Sequence, residues 1–328
     1  MLITRTPYRF SLYGGGLDYP EWYSTNGARI LTAGLDYYCY QTIRELPPFF
    51  EHRYRACYSK VERAKAIDDI EHPSIREVFR KYGNDKHLEI SHIGDLPARS
   101  GIGSSSSFTV GLIASLSAMN GKFLGRAQLA NEAINIEQNI IGENVGFQDQ
   151  CAAAYGGLVF VEAEKDFIRP RRFIARSEYI THITSSILMG FDGVPRMSAN
   201  SAKKISQSIK SGINNTLLKE LEDVSEKGIL AFGKEDDIDV HARITKEARD
   251  IKLALNGDNS CSRTQEIISS TEAAGSLCTR IMGAGGGGFF TCWAPPYKHE
   301  QIKKSVNIRT WVDVRFSSTG SQVIFAEN

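Results

Sequence analysis

Two carboxylates and three glycine-rich runs carry the chemistry in this 328-residue chain. On a helix over 126–141, Ala130, Ile134, Glu137 and Ile141 share one face. An ionised Glu137 among those apolar neighbours is costly unless a cation or hydrogen-bond donors satisfy it. A magnesium ion bridging nucleotide phosphates would do so; a side chain reaching back to water would also relieve the cost. Asp149 follows in Gly146-Phe147-Gln148-Asp149-Gln150, just ahead of Cys151-Ala152-Ala153-Ala154. As a helix N-cap it needs no function. As a general base it would accept the proton of a substrate hydroxyl.

The run Leu96-Pro97-Ala98-Arg99-Ser100-Gly101-Ile102-Gly103-Ser104-Ser105-Ser106-Ser107 leads into a helix over 103–119, where Phe108, Leu112, Leu116 and Met119 recur at helical spacing. Glycines permit positive φ, so backbone N–H groups can converge on one point, and the helix start adds donors and a positive dipole end. That is an anion site, and serine hydroxyls there can cap the helix, bond a phosphate or ligate magnesium. Four serines exceed what one cap requires. The run is not a Walker A loop, which needs a Lys before its Ser/Thr. It fits neither a nucleophile elbow nor a dinucleotide fingerprint.

The second run, Ile281-Met282-Gly283-Ala284-Gly285-Gly286-Gly287-Gly288-Phe289-Phe290, sits between bulky apolar pairs rather than polar linker residues. Glycines in such a place cost roughly 0.5–1 kcal/mol each relative to Ala, so the backbone must pass close to a ligand or to another loop. A glycine-filled hairpin turn would account for the same residues. The third run, Thr6 to Pro20, reads strand, Gly14-Gly15-Gly16, then Asp18, and alone is an ordinary turn.

The elements that must position these residues are strands over 2–13, 28–43, 53–59 and 86–93, then the helices over 103–119 and 126–141. In the second helix Leu129, Ala133, Ile136 and Ile140 form the apolar stripe, and Gly142 stops it. Strands are expected over 157–162 and 180–191, helices over about 200–275, and strands again in the last fifty residues, with a helix near 297–306. Strands and helices that do not strictly alternate imply an α+β fold. The length suits two domains, expected as 1–185 and 186–328.

Composition narrows the partners. Lys+Arg 39 against Asp+Glu 38 gives a formal charge of +1, with no basic block to hold nucleic acid. No run approaches the roughly 18 apolar residues of a membrane span, and the first residues lack a signal peptide's apolar core. The six cysteines, at 39, 57, 151, 261, 278 and 292, form no CxxC pair and read as reduced thiols of a cytoplasmic protein.

Taken in order, the three glycine runs resemble the motifs of the GHMP kinase family: galactokinase, homoserine kinase, mevalonate kinase, phosphomevalonate kinase and relatives. Pro97 to Ser107 is similar to the P-x3-G-L/I-G-S-S motif, 280–290 to the glycine loop G-A-G-G-G-G-F, and Pro7 to Tyr19 to the sugar-kinase form of the first motif. The resemblance implies a two-domain fold holding ATP in the interdomain cleft and transfer of its γ-phosphoryl to an acceptor hydroxyl, with magnesium as cofactor.

By position, it implies that Pro97, Gly101, Ile102, Gly103, Ser104, Ser105 and Ser106, with Gly285 and Gly286, wrap ATP. Ser105 and Glu137 would ligate magnesium, Asp149 would be the base with Arg9 beside it, and Gly14, Gly15, Gly16 and Asp18 would meet the acceptor. Gly193-Val194-Pro195-Arg196-Met197-Ser198 resembles a G-x-x-R-x-S segment, placing Arg196 at an acceptor phosphate. Galactokinases carry Glu and His where this chain has Gly15 and Gly16, so room is left for a different or larger sugar or sugar phosphate. A non-catalytic sugar and nucleotide sensor, and a monomer or a homodimer, stay open.

Overall fold

The computed structural model describes residues 1–165, 167–193, 206–207, 209, 212–255, 262–283 and 287–327. In chain order the elements are β1 (Leu2–Tyr13), α1 (Pro20–Asn26), β2 (Ala28–Glu45), β3 (Tyr54–Cys57), β4 (Val61–Ala64), α2 (Pro73–Tyr82), β5 (Leu88–Gly94) and α3 (Ser104–Met119). There follow α4 (Arg126–Ile134), which runs on into a π-helical turn (Asn135–Ile141), then α5 (Gln148–Tyr155), β6 (Leu158–Glu164), β7 (Phe167–Arg172), α6 (Ser177–Ser185) and β8 (Ile187–Phe191). The remainder comprises α7 (Asn215–Lys234), α8 (Ile238–Leu255), α9 (Ser262–Ala273), β9 (Cys278–Ile281), β10 (Phe289–Trp293), α10 (His299–Ser305), β11 (Thr310–Asp313) and β12 (Gln322–Ala326).

The fold is α+β, as the sequence implies. Eight strands form one sheet in the order β12-β1-β2-β5-β3-β4, with β6 and β7 continuing from β2. The 18-residue β2 serves both arms: 28–33 pair with β6 and 39–45 with β5. Four strands, β11-β8-β10-β9, form a second sheet. The chain ends by adding β12 to β1, so the last strand lies in the same sheet as the first.

The two central helices are buried by composition. On α3, Val110, Leu112, Ile113 and Leu116 are at most 1% exposed, and α5 is short and small-sided enough to pack at Cys151, Ala152 and Ala153 against β1 and α3. A smaller core of Leu188, Ile267, Phe290, Cys292 and Ile302 fills the space between the second sheet and α9 and α10.

Two expectations give way. The strand expected over 180–191 is a helix up to Ser185 and a strand only from Ile187: Tyr179 and Ile183 are buried four apart, and that helical period outweighs the β-branched composition of 180–187. The helix expected over 126–141 is α-helical only to Ile134. The π turn rotates the remainder, leaving Ile140 at 47% exposure, off the apolar stripe, while Glu137 is turned inward.

His241 on α8 ties the second half of the chain to the end of β1. Its Nδ1 lies 2.6 Å from Tyr13 Oη and its Nε2 2.5 Å from Tyr179 Oη, and its ring stacks on Trp293. Tyr179 already donates to the Asp236 carbonyl, so Nε2 carries the proton and Nδ1 accepts from Tyr13. Burial pushes the imidazole down to about 4. The unfolded chain therefore binds the proton first, and stability that is complete above pH 6.5 is lost as pH falls toward 4, by about 3 kcal/mol for a shift of this size. His72, also pushed down to about 4 by burial, acts in the same window. We expect the urea midpoint to drop between pH 7 and pH 5, and His241→Gln to flatten that dependence. An unchanged slope in the variant would place the titration elsewhere.

Candidate active site

The site forms where β1, the loop into α3, the start of α5 and the second glycine loop meet. Pro7 and Arg9 flank an irregularity in the β1–β2 ladder, and the Arg9 N–H turns away from β2 to donate to the Ile102 carbonyl at 2.8 Å. That break aims the Arg9 side chain across the site. Its Nε donates to Asp149 Oδ1 at 2.5 Å, Nη2 to Oδ2 at 3.3 Å, and Nη1 to the Gly101 carbonyl at 3.0 Å. Burial opposes the Arg9 charge, yet the Asp149 charge and hydrogen bonds more than offset it, so the guanidinium is held above its ordinary range. Asp149 is in the first turn of α5 rather than its N-cap, and its carboxylate keeps about a quarter of its surface, 26%.

Gly103 is required at this point. Its φ is +71°, and a Cβ there would stand 2.9 Å from both Cγ and Oδ2 of Asp149 and 3.2 Å from Arg9 Cβ. The α3 start therefore lies directly against the acid–base pair, with its free backbone donors at hand. Gly101 (φ +84°) faces the other way, where a Cβ would lie 2.6 Å from the Met282 carbonyl oxygen. Gly283 backs onto Gly101, and Gly288 (φ +93°) onto the Ser100 carbonyl, which also accepts from the Phe289 N–H at 3.0 Å. Of the two partners expected for the 281–290 glycines, a neighbouring loop is thus present: the serine-rich run itself. Asp192 accepts from the Gly288 N–H at 3.0 Å and ties β8 to the same junction. Gly285 and Gly286 lie outside the described residues, as does Arg196.

The serines divide the work. Ser104 Oγ accepts from the Arg99 N–H, Ser107 Oγ donates to the Pro7 carbonyl, and Ser106 Oγ donates to Glu137 Oε2 at 2.8 Å. The hydroxyl that meets Glu137 is that of Ser106, whereas Ser105, expected beside it, is exposed on the first turn of α3. Ser106 is 3% exposed, with Val110 fully buried one turn on, whereas Ser105 lies at the exposed edge of the same turn. Pro97 accepts from Ser100 Oγ at 2.6 Å, which tightens the turn, and Ile102 is fully buried beneath it.

Glu137 is 0% exposed, so it does not reach water. Gln150 Nε2 also donates to Oε2, at 2.5 Å, while Oε1 has no partner among the described residues. Burial pushes the carboxyl up to about 7. An orphaned hard oxygen beside a serine is what a magnesium ion would satisfy, and no group of three or more His, Cys, Asp or Glu that could hold a metal exists among the described residues. Magnesium needs no such cage, since it retains waters and substrate phosphates as ligands. The residues fit the ion.

On the far side of Arg9, Asp18 is buried, and Oδ1 accepts from the Gly16 N–H at 2.9 Å. Burial raises its pKa. Gly146 must lack a side chain, because a Cβ there would fall 1.8 Å from Asp18 Oδ2. Gly14 is pressed onto the Arg29 carbonyl with φ +85°, whereas Gly15 and Gly16 front Ser11, Gln148 and Lys252. Sequence reasoning passed over Lys252, Gln148 and Arg280. The available signal for Lys252 was its place seven residues after Thr245, on the inward stripe of α8.

A helix start with free backbone donors abutting a carboxylate–guanidinium pair, with a buried carboxylate behind it, is an arrangement suited to phosphoryl transfer. Residues 70–157 match the GHMP kinases N terminal domain. The chain is 24% identical over 328 residues to the D-glycero-alpha-D-manno-heptose 7-phosphate kinase of Campylobacter jejuni, covering 92% of each. It is 28% identical over 244 residues to the galactokinase of Thermococcus kodakarensis, covering 65% of this chain and 66% of that one. A solved structure described as a D-glycero-D-manno-heptose 1-phosphate kinase from Bacteriodes thetaiotaomicron superposes over 100% of both chains with a TM-score of 0.74 at 22% identity. The chain is similar to the GHMP kinases, whose N-terminal domain it matches over 70–157, and is an ATP-dependent phosphotransferase acting on an alcohol group. No helix among the described residues is long and apolar enough to cross a membrane.

Proposed function

We propose that this protein is a magnesium-dependent sugar 1-kinase acting on the anomeric hydroxyl of D-glycero-D-manno-heptose 7-phosphate, giving the 1,7-bisphosphate. The observation that carries it is the placement of the Arg9–Asp149 pair between the start of α3 and the Gly14-Gly15-Gly16-x-Asp18 turn. In this reading the loop 97–106 and the second glycine loop embrace the ATP phosphates. Asp18 hydrogen-bonds sugar hydroxyls, and the missing side chain of Gly16, whose Cβ position has its nearest neighbour at 3.6 Å, leaves space for a long acceptor. The relatives of Campylobacter jejuni and Thermococcus kodakarensis support a sugar acceptor by their own substrates.

Asp149 takes the proton from the acceptor hydroxyl as that oxygen bonds to the γ-phosphorus and the bond to the β,γ-bridging oxygen breaks, releasing ADP. Arg9 fixes the orientation of Asp149 and places a charge beside the transferred group. Magnesium, held by Glu137 with Ser105 or Ser106, would neutralise phosphate charge. The chain would divide into an ATP-binding domain over 1–185 and a second domain over 186–328, in a cytoplasmic protein.

A phosphotransfer assay with a panel of free sugars and sugar phosphates tests the acceptor. Heptose 7-phosphate should show the highest kcat/KM. Better turnover of unphosphorylated fucose or galactose would replace it with a free-sugar kinase.

A further inference from the structure

Lys252 on α8 and Arg280 on β9 are not needed for the transfer step, yet they bring two cations to the acceptor side of the cleft. Lys252 Nζ lies 3.5 Å from where a Cβ of Gly15 would stand, and its Cε 3.8 Å from the corresponding point on Gly16. Gln148 Nε2 borders the same space, 3.0 Å from that Gly15 position, and Ser11 Oγ is 2.8 Å from it. Arg280 is 9% exposed and sits behind Ser11: Nη1 donates to the Leu12 carbonyl at 3.3 Å and Nη2 to the Ser11 carbonyl, while the buried Nε has no partner.

Among the described residues no carboxylate ion-pairs with either cation. The acids of the cleft are engaged elsewhere: Asp149 on Arg9, Asp18 on the Gly16 N–H. Burial, and then the Arg280 charge, pushes Lys252 down to about 7, and burial lowers Arg280 as well. A buried Arg280 beside a half-buried Lys252, with only the through-space attraction of Asp18 to offset the pair, is unfavourable unless an anion arrives. One carboxylate would cancel a single charge. A phosphate monoester, carrying about −1.5 to −2 near pH 7, matches both.

We infer that Lys252 and Arg280, with Gln148, form the subsite that holds the phosphate already present on the acceptor. The inference rests on the reading of this cleft as a sugar-phosphate kinase and names the residues that would make it one. A side chain at Gly15 would collide with Ser11 Oγ and press on Gln148 Nε2 and Lys252 Nζ, so the bare turn and the cation pair are parts of one device. Arg280 gives the subsite rigidity through its two backbone contacts, and Lys252, at the cleft surface, gives it reach.

The test compares wild type with Lys252→Met, which keeps the length of the side chain, and Lys252→Arg, which keeps its charge. Kinetics are measured with heptose 7-phosphate and with unphosphorylated heptose, and heptose 7-phosphate binding is followed by calorimetry without ATP, so that no turnover is needed. For Lys252→Met we expect the kcat/KM ratio of phosphorylated over free heptose to fall about 30-fold, the usual scale for a hydrogen bond to a charged group, with a matching loss of affinity. Lys252→Arg should restore most of both.

Equal losses on both acceptors, or a raised KM for ATP, would assign Lys252 to the transferred phosphoryl and overturn the subsite while leaving the kinase reading intact. Wild type that binds and phosphorylates only free sugars would overturn the subsite and the proposed acceptor together.

Discussion

Asp149→Asn is expected to lower turnover by at least about 10² while leaving ATP binding intact. The substitution keeps the shape and removes the proton acceptor. One of the two contacts with Arg9 also goes, since an amide offers a single acceptor where the carboxylate takes Nε and Nη2 together. Arg9 is nearly buried, with its side chain 7% exposed, so some stability will be lost with the ion pair. Measuring the melting temperature and ATP affinity alongside kcat separates the two effects. A folded variant that binds ATP and turns over near the wild-type rate would assign the base elsewhere. Wild type that binds both ligands but never transfers phosphate would make the protein a sensor rather than a kinase.

What was legible in the sequence was local. Gly101, Gly103 and the serines that follow obey rules that need only their neighbours: positive φ, then a helix start. The cost of four glycines between apolar pairs likewise announced a close approach, and Gly283 and Gly288 do make one, with Gly101 and Ser100. That the partner would be the serine-rich loop, about 180 positions earlier by number, is a long-range fact that periodicity does not carry. The Arg9–Asp149 pairing came from family resemblance, not from spacing.

The misses are tertiary too. Nothing punctuates 126–141, so the π turn that rotates Glu137 inward and Ile140 outward left no mark. The turn sits where Glu137 meets Ser106 and Gln150, contacts made across the fold, whereas propensity alone would continue the α-helix. Lys252 and Arg280 come from a helix and a strand whose adjacency follows only from the folded chain, including the Tyr13–His241–Tyr179 contact that anchors α8.

Glu137→Gln should change function and stability in opposite directions, and that opposition is what makes it informative. The carboxylate is fully buried, has two donors on Oε2 and none on Oε1, and titrates near 7. A group raised from about 4.5 to about 7 favours folding below 4.5 and penalises it fully above 7, by about 3 kcal/mol for a shift of this size. At pH 8, glutamine removes that charge. Its carbonyl can still accept from Ser106 and Gln150, the Thr109 hydroxyl bordering the carboxyl can accept one of its two amide N–H groups, and the other is left unpaired, at about 1–3 kcal/mol. The melting temperature at pH 8 should therefore hold or rise. Turnover should fall by about 10², the scale on which a single preorganised electrostatic group acts, and the magnesium concentration for half-maximal rate should increase. A variant that is less stable and fully active would make Glu137 a structural hydrogen-bond acceptor for Ser106 and Gln150, with the metal held by other groups. Stability kept or gained together with activity lost is the pattern of a residue retained for chemistry against the preference of the fold.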